Sequence, residues 1–157
     1  MLDLVYRDQR PALTPAQKEA LKARFGELVY ESFLSKVYKN GNGGAPLKQI
    51  ITSLEQIEYW FQYVFPVPGD IESEKNNIFK NNDHYKEEGI VPEDYIIFAE
   101  DPGANLFSVN KETGGVYYHA TDMWDEDASL SENHDESISL VSADIDVFLH
   151  SLRIKED

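Results

Sequence analysis

The order of apolar and polar residues predicts three short strands near the middle of the chain. Residues 95–99, 106–110 and 116–120 are short runs rich in apolar, β-branched and aromatic side chains, which favours β-structure. Residues 95–99 are almost wholly apolar, as expected for a strand that is covered on both faces. Because only short polar turns separate the runs, we expect an antiparallel meander over residues 95–120 at the centre of a sheet.

The two turns inside the meander have sequences that indicate their conformation. Asp101-Pro102-Gly103 places Pro at the second and Gly at the third position of a type II turn, where the third residue needs a positive φ. Gly114 is expected to take the left-handed conformation of a bulged hairpin loop. We therefore interpret Asp101, Pro102, Gly103 and Gly114 as structural turn residues and not as ligand-binding residues.

Helical patterns lie on both sides of the meander. Thr14-Pro15-Ala16-Gln17 is a capping box that predicts a helix running to residue 25. A second helix is predicted over residues 29–39, because its apolar residues lie on one helical face, namely Tyr30, Phe33, Leu34, Val37 and Tyr38. Ser142 is predicted to cap a C-terminal helix whose apolar face contains Ile145, Phe148, Leu149 and Leu152.

Gly43 and Gly44 follow the second helix within a glycine cluster. A phosphate-binding loop would need Gly-Lys-Ser/Thr after a strand, but Ala45-Pro46 follows here and a helix precedes. We interpret Gly43 and Gly44 as part of the turn that ends the helix.

The other segments have weaker patterns. Alternating apolar residues predict a strand over residues 57–65, and a last short strand is expected at residues 137–141. Residues 47–54 fit either a strand or a helical turn, and residues 70–89 fit a helix. Residues 1–13 are expected to form an N-terminal arm with a short edge strand at residues 2–6. The whole chain, residues 1–157, is predicted to be one α+β domain with a central, mostly antiparallel twisted sheet flanked by N-terminal and C-terminal helices.

Composition limits the kind of protein that this chain can be. The 157 residues include no cysteine, which excludes disulfides and thiolate metal sites. No secretory signal is visible at the N-terminus, and no apolar run approaches the ~20 residues that a membrane helix needs. We expect a cytoplasmic protein that does not associate with membranes.

The net charge of −15 comes from the second half of the chain. Residues 1–65 contain 8 Lys and Arg against 7 Asp and Glu, whereas residues 66–157 contain 6 against 22. Such a surface repels nucleic-acid backbones and attracts a basic protein. The alternative interpretation is that the excess acid only improves solubility.

Residues 122–136 form the most polar stretch, with seven carboxylates and no Lys or Arg. An aromatic anchor among charges is typical of protein interfaces, and Trp124 lies at the start of this stretch. Trp124 could equally fold back over the sheet edge. The carboxylates lack the spacing and the glycine of a calcium loop. The partner-binding hypothesis involves Asp122, Met123, Trp124, Asp125, Glu126, Asp127, Glu132, Asp135 and Glu136.

The sequence contains no motif that indicates an enzyme. The four histidines lack metal-ligand spacing, and no Gly-x-Ser-x-Gly motif occurs. His119 is interpreted as a partly buried, hydrogen-bonded residue and not as a member of a site. We therefore predict no catalytic residues, no metal site and no cofactor.

Five motifs occur in one order along residues 33–149. They are FL at 33–34, NGGAP at 42–46, IFAEDPGAN at 97–105, GGVYY at 114–118 and VSADIDVFL at 141–149. In this order they resemble the SUKH superfamily, which includes the fungal cell-wall-synthesis regulator and many bacterial immunity proteins. Two positions depart from the family pattern. Ala104 stands where a second glycine often follows Asp-Pro-Gly, and Val29 stands where a Leu-Pro step usually opens the second helix.

The resemblance implies an α+β fold and a protein that binds a partner without catalysing a reaction. Many bacterial members are encoded beside a toxin, often a nuclease, and neutralise it by direct binding. The leading hypothesis is therefore an immunity protein that binds a cognate, basic, nuclease-type toxin domain through its acidic half. A regulatory scaffold of the cell-wall-regulator type is the alternative, and a carboxylate-dependent hydrolase ranks third.

Overall fold

The structure is a computed structural model that describes residues 3–8, 10–69 and 76–155. Within these residues the helices are α1 (Pro15–Phe25), α2 (Glu27–Val29), a π-helical turn (Tyr30–Leu34), α3 (Ser35–Val37), α4 (Ile78–Glu87), α5 (Leu130–Ser137) and α6 (Ile145–Ser151). The strands are β1 (Ile50–Thr52), β2 (Glu58–Trp60), β3 (Tyr63–Val64), β4 (Tyr95–Glu100), β5 (Leu106–Asn110), β6 (Val116–His119) and β7 (Ile138–Ser142).

The main sheet has five antiparallel strands in the order β3-β4-β5-β6-β7. The predicted meander forms its middle, since β4, β5 and β6 are consecutive neighbours. β1 and β2 form a separate two-stranded antiparallel sheet. The predicted α+β fold is thus confirmed.

One face of the main sheet is packed by buried aromatic rings. The Phe61 ring lies 5.3 Å from Phe107 and 5.1 Å from Phe148, and the Phe33 ring lies 5.0 Å from Phe98. Because Phe33 comes from the N-terminal helical region and Phe148 from α6, helices from both ends of the chain cover this face. Edge-to-face pairs of this kind add to the apolar burial that stabilises a core.

Helix α4 covers the free edge of β4 beyond β3. Asn82 is buried and its side-chain oxygen accepts the Ile97 N–H at 3.0 Å, while its amide nitrogen donates to the Ile97 carbonyl at 2.9 Å. An asparagine side chain thereby replaces a neighbouring strand, which satisfies backbone groups that would otherwise be exposed at a sheet edge.

The turn between β4 and β5 differs from the prediction. Ala104 has a φ of 63°, whereas Gly103 lies outside the left-handed region, so the type II turn was wrong. The Ala104 N–H donates to the Asp101 carbonyl, which with this φ makes a type I turn followed by a left-handed residue. The physical cause is the Asp101 carboxylate, whose Oδ1 accepts the Gly103 and Asn105 N–H groups at 2.8 and 2.9 Å.

The starts of the second helix and of the C-terminal helix differ from the prediction. α1 has the predicted capping box at Thr14, but the next helical segment begins at Glu27, directly after Gly26, and not at Val29. Ser142 does not cap the C-terminal helix, because it is the last residue of β7. Asp144 caps α6 instead, with its Oδ1 accepting the Val147 N–H at 2.8 Å.

The strand predicted over residues 57–65 is interrupted at Phe61. β2 pairs with β1 and β3 pairs with β4, so the chain passes from the small sheet to the main sheet. The Phe61 N–H donates to the Gln49 carbonyl, whereas the next N–H, of Gln62, donates to the carbonyl of Glu100. Residues 47–54, for which the sequence fitted either a strand or a helical turn, contain the strand β1.

The remaining predictions concern the segments at the ends of the described ranges and the glycine turns. Part of the helix predicted over residues 70–89 is present as α4, which begins after an Asn77 cap, while residues 70–75 lie outside the described part. In the predicted edge strand at residues 2–6, Tyr6 makes only an isolated bridge to Pro46, and Leu2 is outside the described residues. Gly43, Gly44 and Gly114 have φ values of 77°, 104° and 77°.

Candidate protein-binding site

The acidic stretch at residues 122–136 is an ordered loop followed by a helix. A 3₁₀ turn at Thr121–Met123 opens it, and Ser129 caps α5 by accepting the Glu132 N–H at 3.2 Å. All seven carboxylates are exposed, and three of them (Glu132, Asp135 and Glu136) lie on α5. The stretch is therefore a loop only in its first half, and its second half is helical. The sequence signal was present, because Ser129-x-x-Glu132 is a capping-box pattern.

Buried Asn133 holds the loop in a single shape. Its Oδ1 accepts the Asp125 N–H at 2.8 Å and its Nδ2 donates to the Asp125 carbonyl at 2.8 Å, while only 2% of Asn133 is exposed. The Asp125 Oδ1 in turn accepts the Asp127 N–H at 2.9 Å. The acidic side chains are thus displayed from a backbone that is already ordered, which reduces the entropy cost of binding.

The turn after β4 anchors the other end of the same loop. The Asp101 Oδ2 accepts the Tyr118 hydroxyl at 2.5 Å and the Asn105 Nδ2 at 3.1 Å. The Asn105 Oδ1 then accepts both the backbone N–H of Thr121, at 2.9 Å, and its hydroxyl, at 3.1 Å. A hydrogen-bonded path therefore runs from the turn to the residue that precedes Asp122, which gives Asp101 a structural role.

Met123 and Trp124 are placed differently. Met123 is 55% exposed, whereas Trp124 is half-buried with its ring centroid 5.9 Å from that of His134 on α5. The His134 Nε2 lies 2.8 Å from the Gly89 carbonyl oxygen, so the His134 ring is itself held at the end of α4. Trp124 therefore packs on α5 and keeps part of its surface open to solvent.

His119 is a buried residue that hydrogen-bonds to Ser108. Its Nε2 lies 2.7 Å from the Ser108 Oγ, and no polar partner for Nδ1 is found in the described part of the chain. Burial, with a smaller contribution from the charge of His134, lowers the pKa of His119 to about 3. The pair has no access for a substrate, since Ser108 is 0% and His119 is 1% exposed. The expected hydrogen bond of His119 is present, and its burial is more complete than the partial burial that was predicted.

A separate cavity of about 420 Å³ lies between α1, α4 and the start of β4. Its charged lining is balanced, with three cations and three carboxylates, namely Arg24, Lys86, Lys111, Asp83, Glu87 and Glu93. Arg24 and Asp83 form an ion pair, and the Lys86 Nζ lies 3.9 Å from Glu93. This balance makes the cavity a poor match for a strongly anionic ligand.

Two further observations concern other kinds of site. Among residues 3–8, 10–69 and 76–155, no three His, Asp or Glu side chains are arranged to hold a metal ion. In the same residues, no helix combines the length and the apolar character needed to cross a bilayer.

The fold and this surface define an α+β domain with an ordered acidic flank. Residues 14–151 match the model of the SMI1 / KNR4 family (SUKH-1), so the chain belongs to this family. No curated protein matches the chain, and no solved structure does so either.

Proposed function

We propose that this chain is an immunity-type protein that binds a basic toxin domain and blocks it, without catalysing a reaction. The observation that carries the proposal is the exposed acidic surface at residues 122–136, held in one shape by Asn133 and Asn105. Family membership supports it, because the family fits such a role or a regulatory role of the SMI1/KNR4 type.

The electrostatics favour a basic protein as the partner. The whole net charge of −15 comes from residues 66–157, which hold 6 Lys and Arg against 22 Asp and Glu. The seven carboxylates of residues 122–136, the acidic segment, are exposed. A nuclease domain is basic where it holds phosphate, so an acidic surface can occupy that place and steer fast association. Such binding weakens as salt screens the charges.

The proposal predicts that an adjacent reading frame encodes a toxin-like protein, and the test is co-expression with that protein. The chain is expected to restore growth, and the purified pair is expected to form a complex whose affinity falls with salt. Absence of both rescue and binding would refute the proposal. Binding to several partners without neutralisation would favour a regulatory scaffold instead.

A charge-matched pair of variants tests the surface. One variant neutralises exposed carboxylates in the acidic segment: Asp122→Asn, Glu126→Gln, Asp135→Asn and Glu136→Gln. The control neutralises exposed carboxylates elsewhere: Asp8→Asn, Glu27→Gln, Glu31→Gln and Glu112→Gln. Both change the net charge equally, so only a specific surface makes the first weaken binding far more than the second. Equal effects would mean that total charge, and not this surface, attracts the partner.

A further inference from the structure

Exposed apolar side chains flank a pair of tyrosines at one end of the two sheets. Leu54 is 67% and Ile57 is 46% exposed at the tip of the β1–β2 hairpin, and Met123, beyond β6, is 55% exposed. Large apolar side chains grouped on a surface indicate an interaction site when polar residues surround them. We call Leu54, Ile57, Tyr59, Tyr118 and Met123 the hairpin patch.

The two tyrosines join the parts of this patch. The Tyr59 ring, on β2, lies 4.4 Å from the Tyr118 ring, on β6. Behind them, the ring of buried Phe107 lies 6.4 Å from Tyr59 and 5.3 Å from Tyr118. The tyrosines are half-buried and rest on the core, as aromatic anchors at the centre of protein interfaces do.

Carboxylates lie around the tyrosine pair. Burial raises the pKa of Tyr59, and the negative charge of Glu55 raises it further. Burial also raises the pKa of Tyr118, together with its hydrogen bond to Asp101, and the charge of Asp122 adds to this. Glu55 is therefore near the Tyr59 ring, and Asp101 and Asp122 are near the Tyr118 ring.

The hairpin tip is ordered before any partner arrives. The Ser53 N–H donates to the Ile57 carbonyl at 2.8 Å, and the Ser53 Oγ accepts the Ile57 N–H at 3.2 Å. The base of the hairpin is held by Arg153, which donates to the Glu58 carboxylate at 2.6 Å and whose backbone pairs with Ile50. Leu54 and Ile57 are thus presented by a rigid element, which limits the entropy lost on docking.

We propose that the hairpin patch is the apolar centre of the docking site and that the acidic segment forms part of its charged rim. This inference rests on the proposed function, since its occupant is the same basic protein partner. The partner is expected to carry an apolar spot ringed by Lys or Arg. A second copy of this chain is a poor occupant, because Glu55 and Asp122 would then face carboxylates of the same sign.

The test measures the affinity of the full-length chain for a catalytically inactive form of the toxin encoded by the adjacent reading frame. Leu54→Ala and Met123→Ala are each expected to weaken binding ~10-fold, and Leu54→Arg ~30-fold or more. The matched controls are Leu28→Ala and Leu28→Arg, because Leu28 is 77% exposed on α2, outside the patch. The Leu28→Ala control is expected to change the affinity less than about 3-fold.

The salt dependence of the affinity distinguishes the apolar contribution of the hairpin patch from the charge contribution of the acidic segment. The loss caused by Leu54→Ala is expected to stay the same from low to high salt, whereas the loss caused by neutralising the acidic segment is expected to shrink as salt rises. Circular dichroism and thermal melting verify that each variant is folded. Since Leu54 and Met123 are exposed, their replacement should leave the melting temperature unchanged.

The outcomes distinguish the two proposals. If the wild-type chain does not bind the toxin, the proposed function and this inference both fail. If the wild type binds and the Leu54 and Met123 variants bind as tightly as the Leu28 variants, this inference alone is overturned. A two-fold homodimer that Leu54→Arg disrupts, without any effect on toxin binding, would also overturn it.

Discussion

Asn133→Ala is the substitution that most directly tests how the acidic surface is held in place. The Asn133 side chain makes two hydrogen bonds of 2.8 Å to the Asp125 backbone, one to its N–H and one to its carbonyl. Alanine removes both and leaves a small space in a position that is buried in the native chain. The helix itself should persist, because its Ser129 cap does not involve Asn133.

The expected loss of unfolding free energy in Asn133→Ala follows from these two hydrogen bonds. Each net hydrogen bond contributes roughly 0.5–1.5 kcal/mol, so their loss amounts to about 2 kcal/mol of unfolding free energy. Water can reach Asp125 once the loop opens, because its side chain is exposed, and this limits the penalty for unsatisfied backbone groups. Residues 122–128 should therefore lose order locally before the whole domain unfolds.

Urea denaturation gives the free-energy change, and hydrogen exchange of the Asp125 amide reports the local opening. The exchange rate is expected to rise at least ~10-fold, in line with a local loss above 1.4 kcal/mol. Ser131→Ala on the exposed side of α5 is the control and should leave both quantities nearly unchanged. A change in unfolding free energy below about 0.5 kcal/mol, together with unaltered exchange at Asp125, would refute the assigned role of Asn133.

Two other predictions concern the stability of the scaffold. Gly43→Ala is expected to lower the free energy of unfolding by about 3 kcal/mol, because an added Cβ would lie 2.6 Å from the Val64 carbonyl oxygen. The control Gly114→Ala has the same φ of 77° but nothing within 4 Å of the added Cβ, so it should lower that free energy by only about 1 kcal/mol. Urea denaturation measures both values, and equal losses would contradict the steric argument. His119 has its pKa lowered from 6.5 to about 3, so the unfolded chain binds a proton more readily and stability should fall as pH drops below 6.5, by about 2 kcal/mol between pH 7 and pH 5. This loss should be smaller in His119→Gln, and an identical pH dependence in both proteins would show that His119 does not titrate as described.

The elements that could be predicted from the sequence are those whose signals are local. The strands of the meander, the capping box at Thr14 and the apolar face of α6 all follow from neighbouring residues and from their periodicity. The SUKH motif residues at the β4–β5 turn make hydrogen bonds within the chain. The Asp101 carboxylate accepts hydrogen bonds from two backbone N–H groups, from the Asn105 side chain and from the Tyr118 hydroxyl.

At the β4–β5 turn and at the start of α6, a side-chain hydrogen bond decided the local conformation. The carboxylate of Asp101 favours a type I turn, so the positive φ falls on Ala104 and not on Gly103. Asp144 and not Ser142 caps α6, because Ser142 is already paired with Val116 in the sheet. Asp101 and Asp144 are both visible in the sequence, but the hydrogen-bond partners of their side chains depend on the pairing of strands.

The α+β class, the antiparallel meander, the acidity of the second half and the family can all be predicted from the sequence alone. Local propensity, hydrophobic periodicity and charge are properties of residues near each other in the chain, and they need no tertiary contact to be read. Which side chains lie next to each other depends on the tertiary structure. It places Asn82 on the edge of β4, Asn133 under the acidic loop, and Tyr59 beside Tyr118. These contacts depend on how the β1–β2 hairpin and the helices dock on the main sheet, and that packing is set by buried aromatic rings from distant parts of the chain.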